Sequence, residues 1–194
     1  MKVGPASNLG SVLEDAAMGE QEGAERHRDG GGGKYQQRQV PASGRRRQQA
    51  AQEGTDRSDR IAAAQRTGPA GCVHAIDIEP KMIERVQARA AAEGVTNIQA
   101  RVASAYELPY PDAFFDVIYM ITVTGEIPDP VRAMREFRRV LKPSGRLAIS
   151  EILLDPDYPQ ASTVIRWAAA AGLQPVRKIG NFFYYTLVFG PDSR

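Results

Sequence analysis

The sequence predicts an α/β fold, a doubly wound and mostly parallel sheet with an antiparallel strand pair at its C-terminal end. Three observations predict it. Apolar runs of strand length alternate with helical patterns from Gly68 to Phe189. An acidic residue, Asp77, directly follows the first of these strands. The last two strands are joined at Gly180-Asn181, a connection too short for a helical crossover, so they must pair antiparallel.

The N-terminal third of the chain has a different composition. Its residues 19–60 contain only two large apolar side chains, Tyr35 and Val40. Such a stretch cannot bury enough apolar surface to offset the conformational entropy of the chain. We therefore expect residues 1–67 to be a disordered or non-native low-complexity segment and residues 68–191 to form an incomplete α/β domain.

The first β-α unit combines an apolar strand, Val73 to Ile76, with a helix that begins at Pro80 and ends before Gly94. Alternation of apolar and polar residues then predicts a half-buried strand from Asn97 to Val102. Upstream, Ile61 to Gln65 fits the end of a helix that the following Gly-Pro pair stops.

The second half of the sheet starts with Phe115 to Val123, which is too continuously apolar to face water on either side. This favours a central parallel strand that helices cover on both faces. Asp129 with Pro130 begins the next helix, which ends at Lys142 to Gly145. Arg146 to Leu153 is the following strand.

The C-terminal part contains a helix, Ser162 to Ala171, and the two antiparallel strands. Pro175 cannot donate a hydrogen bond to a neighbour, so Leu173 to Ile179 should lie at the edge of the sheet. Asn181 to Phe189 should then lie inside it, filled by apolar side chains that include Phe182.

Charge, cysteine content and hydropathy exclude several classes of protein. The formal net charge of +2 gives no strong attraction to nucleic acid or to a membrane. The single cysteine, Cys72, excludes an internal disulfide framework and argues against a thiolate zinc site. No run approaches the roughly 20 apolar residues that span a bilayer. We expect a soluble, cytoplasmic protein, and no feature specifies an oligomeric state.

Three segments of the patterned region carry a resemblance: His74 to Met82, Ala103 to Asp116 and Arg135 to Leu147. In this order, and with the antiparallel pair, they resemble the class I S-adenosylmethionine-dependent methyltransferases of the small ubiquinone- and menaquinone-biosynthesis type, also described as methyltransferase type 11-like. The resemblance implies a Rossmann-like fold, S-adenosylmethionine as the cofactor, and methyl transfer to a small-molecule acceptor.

The resemblance places cofactor-binding residues at the first two strand ends. Asp77 matches the acid that binds the cofactor ribose in the resembled family. A carboxylate suits this role because it can accept hydrogen bonds from two vicinal hydroxyls. Alternatively, Asp77 only helps to start the helix at Pro80. Ile78 and Met82 would contact the adenine face, although core packing explains both equally well.

Ser104-Ala105 stands where the resembled family usually has Asp-Ala, a pair that meets the adenine amino group and a ring nitrogen. An uncharged hydroxyl accepts a weaker hydrogen bond than a carboxylate, so the serine should bind adenine more weakly. A surface-turn serine without a binding role is the alternative.

The resemblance places the reacting methyl and the acceptor at the loop Thr122 to Pro130. Glu126 is the first candidate there to orient or deprotonate the acceptor, and Glu151 at the end of the next strand is the second. Both could instead be ordinary solvated acids. Alignment of nucleophile and methyl supplies most of the acceleration in such a displacement, so no metal or catalytic triad is required.

Two features of the N-terminal segment suggest other ligands. Gly30 to Gly33 with Lys34 lacks the hydroxyl residue, spacing and preceding strand of a phosphate-binding loop, which favours a flexible tract. Arg45 to Arg47 could contact nucleic acid, but isolated basic tracts are usually solvated, so nucleic acid is an improbable partner.

The resembled family has an apolar strand and a Gly-x-Gly-x-Gly loop ahead of Gly68, and no segment from Met1 to Thr67 offers both. Loss of that strand would expose backbone groups beside the site. We hypothesise that a gene lesion or reading-frame error altered the upstream sequence. Translation of the other reading frames of the coding DNA tests this, because it should reveal an apolar strand followed by a glycine loop.

Two alternatives to an active methyltransferase follow. The first is a non-catalytic remnant or binding module that uses its exposed sheet. The second is an NAD(P)-dependent dehydrogenase, which also binds ribose with an acid at a strand end. The antiparallel final pair and the lack of a Gly-x-Gly-x-x-Gly motif count against the dehydrogenase.

Overall fold

A computed structural model describes residues 60–192. The predicted disorder of the first 59 residues, the Gly30 to Gly33 tract and the Arg45 to Arg47 run lie outside the described residues. The described helices and strands, in chain order, are α1 (60–67), β1 (Val73–Asp77), α2 (Pro80–Ala92), β2 (Ile98–Val102), β3 (Phe115–Ile121), α3 (Pro130–Val140), β4 (Leu141–Ile152), α4 (Ala161–Ala170), β5 (Leu173–Gly180) and β6 (Tyr184–Pro191).

The described strands form two sheets. β1 and β2 pair parallel as a doublet, and the other four strands follow the order β3-β4-β6-β5. β3 and β4 are parallel, whereas β6 is antiparallel to both of its neighbours. The predicted α/β class with a C-terminal antiparallel pair is therefore confirmed. The edge position that Pro175 predicted for its strand is confirmed as well, because β6 is the one described strand with which β5 pairs.

Helix starts follow the sequence signals. Asp129 caps α3, since its Oδ1 accepts a hydrogen bond of 3.0 Å from the backbone nitrogen of Arg132, and Pro130 occupies the first turn. Pro80 occupies the same position in α2. Gly94 follows α2 with a φ of 65°, a conformation that favours glycine.

Helix α1 belongs to the packed fold. Ala63 and Ala64 are buried in the main core, and the side-chain nitrogen of Asn97 donates to the backbone oxygens of Ala64 (2.8 Å) and Gly68 (3.0 Å). The described fold thus begins ahead of Gly68. The helix predicted at Ile61 to Gln65 is present, and it packs against the core. Among residues 60–192, no helix is both long and apolar enough to cross a lipid bilayer.

The hairpin between β5 and β6 differs from the prediction. Phe182 and Phe183 are 63% and 66% exposed, and β6 begins only at Tyr184. The reason is a turn at Asn181, whose Oδ1 accepts a hydrogen bond of 2.8 Å from the backbone nitrogen of Phe183. The prediction that Phe182 fills the interior strand is therefore wrong.

An aromatic cluster joins the amino-terminal ends of β1 and β3. The His74 ring makes edge-to-face contacts with Tyr110, Phe114 and Phe115 at centroid distances of 5.0, 5.5 and 5.5 Å. Its Nδ1 lies 3.1 Å from the Tyr110 hydroxyl. Burial in this cluster lowers the pKa of His74 to about 4, so the imidazole is neutral at pH 7.

Candidate functional site

Asp77 lies at the carboxyl end of β1 and is held there by backbone geometry. The backbone nitrogen of Ala103 donates to its carbonyl oxygen at 3.0 Å, which ties the ends of β1 and β2 together. Its Oδ1 accepts a hydrogen bond of 2.9 Å from the backbone nitrogen of Glu79. Among the described residues, no hydrogen bond reaches Oδ2. One carboxylate oxygen thus fixes the side chain, and the other can accept hydrogen bonds from a ligand.

Ile78, the next residue, is 74% exposed. Val102 and Val123, at the ends of β2 and β3, are 52% and 40% exposed. Core packing therefore does not explain Ile78. Met82 of α2, which the sequence analysis also placed at the adenine face, is half-buried. The carboxyl ends of three strands thus each present an aliphatic side chain to solvent, and Val102 is the β2 residue that pairs with the half-buried Asp77.

Ser104 and Ala105 follow β2 and are half-buried. The Ser104 Oγ accepts a hydrogen bond of 3.2 Å from the backbone nitrogen of Tyr106, so the serine does form a turn. The hydroxyl retains its own proton for donation. The turn that the alternative interpretation assigned to Ser104 therefore exists, and it holds the side chain in a defined position.

Tyr106 is a residue that the sequence analysis did not single out. Its hydroxyl accepts a hydrogen bond of 2.9 Å from the backbone nitrogen of Asp129, and the Arg132 guanidinium lies 4.7 Å from its ring centroid. The loop after β2 is thereby attached to the start of α3. The sequence signal that could have pointed to Tyr106 is the presence of an aromatic residue directly after Ser104-Ala105.

Arg139 of α3 clamps the same loop farther along. Its guanidinium donates to the backbone oxygens of Leu108 (3.2 Å) and Tyr110 (3.0 Å) and forms a two-point ion pair with Glu136 at 2.6 and 2.9 Å. Hydrogen bonding from Arg139 lowers the pKa of Glu136. Glu136 also accepts a hydrogen bond of 2.8 Å from the backbone nitrogen of Leu108. The loop between β2 and β3 is therefore rigidly attached to α3.

The loop after β3 is strained and tightly packed. Thr122 has a φ of 49°, which is rare for a β-branched residue, and Thr124 begins a short 3-10 turn. Thr124 is completely buried, and its Oγ1 has no hydrogen-bond partner among the described residues. A Cβ atom at Gly125 would overlap the backbone oxygen of Asp157. Glu126, the predicted catalytic candidate, is exposed on this loop.

Glu151 lies beneath that loop and is only 2% exposed. Its Oε1 accepts a hydrogen bond of 3.2 Å from the backbone nitrogen of Thr124. It faces Tyr185 across the β4-β6 pair, and burial together with the charge of Glu151 raises the pKa of Tyr185. The Tyr185 hydroxyl donates to the backbone oxygen of Pro159 at 2.5 Å. The buried carboxylate thus holds the loop from below, whereas Glu126 is exposed to solvent.

Comparison with known proteins identifies the fold and its family. Residues 54–149 match the methyltransferase domain family. A 27-O-demethylrifamycin SV methyltransferase from Amycolatopsis mediterranei is 41% identical over 85 residues, which cover 43% of this chain and 31% of that protein. A demethylmenaquinone methyltransferase from Lactobacillus johnsonii is 33% identical over 92 residues, which cover 47% of this chain and 38% of that protein. The chain thus spans about a third of the length of these two curated relatives.

Solved structures show the same fold. An S-adenosylmethionine-dependent methyltransferase from Aquifex aeolicus superposes with a TM-score of 0.63 and 21% identity, covering 66% of this chain and 73% of that chain. The [4+2]-cyclase SpnF superposes with a TM-score of 0.62 and 17% identity, covering 99% of this chain and 98% of that chain. The predicted resemblance is confirmed: residues 54–149 match a methyltransferase domain, and the fold is that of S-adenosylmethionine-dependent methyltransferases.

Proposed function

We propose that this chain binds S-adenosylmethionine and transfers its methyl group to a small-molecule acceptor. The observation that carries the proposal is the arrangement of Asp77. One oxygen of its half-buried carboxylate is fixed by the Glu79 backbone, and the other can accept hydrogen bonds at the carboxyl ends of two parallel strands. In open α/β sheets, ligands bind outside the carboxyl ends of the strands.

The ribose and the adenine would lie along the ends of β1 and β2. The Asp77 carboxylate would accept hydrogen bonds from the two ribose hydroxyls. The exposed side chain of Ile78 offers an apolar surface for one face of the adenine. Ser104 and the backbone of Ala105 would meet the edge of the ring. The Ser104 Oγ accepts one hydrogen bond from the backbone nitrogen of Tyr106 and keeps a second lone pair, with which it would accept a hydrogen bond from the adenine amino group.

The acceptor would bind at the loop after β3. Bound S-adenosylmethionine supplies an electrophilic methyl group on a sulfonium, so this chain has only to position the nucleophile and, where necessary, to take up its proton. Glu126 is exposed on this loop and is our candidate for proton removal. Glu151 positions the loop through the Thr124 backbone and is buried beneath it. Its role would therefore be indirect.

The matched relatives support a small-molecule acceptor. The names of the two relatives described above refer to a rifamycin and to demethylmenaquinone. A further relative, an arsenite methyltransferase from Halobacterium salinarum, is 32% identical over 101 residues. These acceptors differ widely in chemistry. They support a small molecule as the acceptor. A screen of small molecules for methyl uptake would identify which one.

We also infer a cytoplasmic location, because a single cysteine suits a reducing compartment. Fractionation of cells that express the tagged chain tests this.

Isothermal titration calorimetry of the Asp77→Asn variant with S-adenosylmethionine tests the proposal. The asparagine oxygen can still accept the hydrogen bond from Glu79, so the variant removes the charge and leaves the turn. We expect binding to weaken at least tenfold while the circular dichroism spectrum is unchanged. The Glu84→Gln variant, at an exposed position of α2, loses the same charge nearby and should bind as the parent does. Equal affinity in all three proteins would refute the ribose assignment.

A second candidate is a methyltransferase-like module that does not catalyse methyl transfer. The observation that favours it is the division of the described strands into two sheets beside Asp77. The SpnF fold match also shows that this fold is not confined to proteins named as methyltransferases. Absence of any calorimetric signal with S-adenosylmethionine at millimolar concentration would favour this candidate over the enzyme.

A further inference from the structure

Exposed apolar side chains are concentrated along one edge of the fold. Among residues 60–192, the large hydrophobic residues that are exposed stand at or just after the carboxyl ends of strands or in the β5-β6 turn, with Val176 of β5 as the exception. They are Ile78 after β1, Val102 at the end of β2, Val123 after β3, Leu154 after β4, and Phe182 and Phe183 in the turn. A row of exposed apolar residues, unlike single scattered ones, marks a binding surface.

The β5-β6 turn lies at the same edge as the carboxyl ends of β3 and β4. Because β6 is antiparallel to both β4 and β5, β5 runs in the direction of β4 and ends where β4 ends. At that end Ile152 pairs with Tyr184, and the backbone nitrogen of Leu153 donates to the carbonyl oxygen of Phe183 at 2.7 Å. The two phenylalanines therefore stand beside the segment that follows β4.

The segment after β4 also contacts the loop that carries Glu126. Gly125 packs so closely against the backbone oxygen of Asp157 that an added Cβ would overlap it. The next residue, Tyr158, donates from its hydroxyl to the carbonyl oxygen of Phe182 at 2.8 Å. Contacts thus lead from the proposed acceptor loop to the turn. Because only β4 stands between β3 and β6, the distance is two strand spacings, about 10 Å.

The backbone of the turn is fixed although its rings are exposed. The Asn181 Oδ1 accepts a hydrogen bond of 2.8 Å from the backbone nitrogen of Phe183, and the carbonyl oxygens of both phenylalanines accept the hydrogen bonds described above. The two rings stand edge to face, with centroids 5.9 Å apart and an interplanar angle of 80°. Aromatic rings on a fixed backbone are preorganised for a ligand, because binding them orders little additional chain.

The charges of the two loops restrict the ligand further. Residues 122–129 and 153–160 contain four acids, Glu126, Asp129, Asp155 and Asp157, but no lysine or arginine. These carboxylates would repel a negatively charged molecule. A molecule that lies along this part of the row should therefore be apolar and carry no negative charge.

We propose that Phe182 and Phe183 determine acceptor specificity by binding the far end of an uncharged acceptor that contains at least two aromatic rings. The inference rests on the proposed function, which places the reacting methyl at the loop after β3. The reacting end of the acceptor lies at Glu126, and its body runs across Val123 and Leu154. A span of about 10 Å is longer than one aromatic ring, so a second ring is needed to reach the turn.

The turn offers both contacts and space for this second ring. Aromatic rings prefer edge-to-face or offset-stacked neighbours, and two perpendicular phenylalanines present one of each to a flat molecule. A cavity of about 210 Å³ lies beside Phe182, and Tyr158 and Tyr185 also line it. A flat ring therefore gains more from this end of the row than a saturated ring of the same length.

The experiment titrates the isotope-labelled 194-residue chain with 4-phenylphenol, a rigid two-ring probe, and follows the backbone amides by NMR. We expect the signals of Gly125 and of Phe183 to shift with one dissociation constant. Phe182→Ala and Phe183→Ala should each weaken binding at least fivefold, because each removes an aromatic contact. Val176→Ala is the matched control: this residue is 57% exposed but lies within β5, and the variant should bind as the parent does.

Three further probes test the chemistry of the acceptor. Phenol lacks the second ring and should bind at least tenfold more weakly. 4-Cyclohexylphenol keeps the length but has a saturated far ring, so its binding should be about threefold weaker. 4-Phenylbenzoate adds a negative charge and should bind at least tenfold more weakly. Equal affinity for any of these probes, shifts confined to the turn, unchanged binding in both phenylalanine variants, or absence of binding by the parent would overturn the proposal.

Calorimetry with S-adenosylmethionine separates this inference from the proposed function. The phenylalanine variants should bind the cofactor as the parent does, because neither residue belongs to the cofactor site proposed above. A parent that binds 4-phenylphenol as described but not the cofactor would refute the proposed function and still support the aromatic surface. A parent that binds the cofactor but not 4-phenylphenol would refute the acceptor assignment alone.

Discussion

The carboxylate of Glu151 accepts a hydrogen bond of 3.2 Å from the backbone nitrogen of Thr124, and both residues are buried. A buried acidic side chain near the end of β4 thus holds the start of the loop that follows β3. The adjacent Tyr185 hydroxyl donates to Pro159, which connects this polar cluster to the segment before α4. The position of the exposed Glu126 therefore depends on a residue distant from it in the sequence.

Truncation of Glu151 should destabilise the fold and loosen this loop. The Glu151→Ala variant leaves the buried N–H of Thr124 without an acceptor, at an expected cost of about 2 kcal/mol in the free energy of unfolding. The Glu151→Gln variant keeps an acceptor oxygen and should lose about 1 kcal/mol. Urea unfolding monitored by the fluorescence of Trp167, the single tryptophan, measures both. Equal stability of the two variants would contradict the role of the hydrogen bond.

A methyl group at Gly125 should be poorly tolerated. Its Cβ would overlap the backbone oxygen of Asp157, which cannot move without displacing its own loop. We expect Gly125→Ala to cost at least 2 kcal/mol in unfolding free energy. Gly94→Ala is the matched control, because Gly94 has open space around it and its positive φ of 65° is the one source of strain for an added methyl group. The cost of this substitution should be about 1 kcal/mol in unfolding free energy. Thermal denaturation of both variants compares steric overlap with backbone strain alone.

Restoring an acid at position 104 should strengthen cofactor binding. In the Ser104→Asp variant the carboxylate can still accept the Tyr106 backbone hydrogen bond, and it adds a charged acceptor for the adenine amino group. We expect the dissociation constant for S-adenosylmethionine to fall about tenfold in calorimetry. The Ser104→Asn variant, which offers a neutral acceptor, should give a smaller change. An Asp variant that binds more weakly than the parent would place the adenine elsewhere.

Stability should depend on pH through His74. Because burial lowers its folded pKa to about 4, the unfolded chain binds a proton between pH 4 and 6.5 that the folded chain does not. The free energy of unfolding should therefore be constant above pH 6.5 and fall by about 1 kcal/mol as the pH is lowered to 5. His74→Gln should remove this fall, whereas His27→Gln, the control at the only other histidine, should keep it. Unfolding in urea at several pH values measures the slope.

Sequence patterns predicted most of the described fold because its strands and helices follow local rules. Pro175 correctly indicated the edge strand, because proline has no backbone N–H to donate to a neighbouring strand and this holds in any tertiary context. The strand after α3 was predicted to begin at Arg146 but begins at Leu141. There Leu141 pairs with Phe115 ahead of a register shift, so tertiary pairing overrides the local turn signal of Pro143.

The candidate site was predicted less completely. Asp77 and Ser104 could be selected because their positions follow strand ends in the sequence. The burial of Glu151 could not, because it depends on Thr124 and on Tyr185, which reach it only through folding. An acidic residue at a strand end has the same sequence signature whether solvent or protein surrounds it.

The contacts of Arg139 bear on how this domain can diversify. Towards the loop after β2, its guanidinium reaches the main-chain oxygens of Leu108 and Tyr110 and one side chain, the carboxylate of Asp112. A main-chain oxygen stands at every position whatever the side chain is. Replacement of loop side chains other than Asp112 can therefore alter what lies beside the cofactor region while these main-chain contacts are preserved. Acceptor preference could change through such replacements, with the scaffold intact.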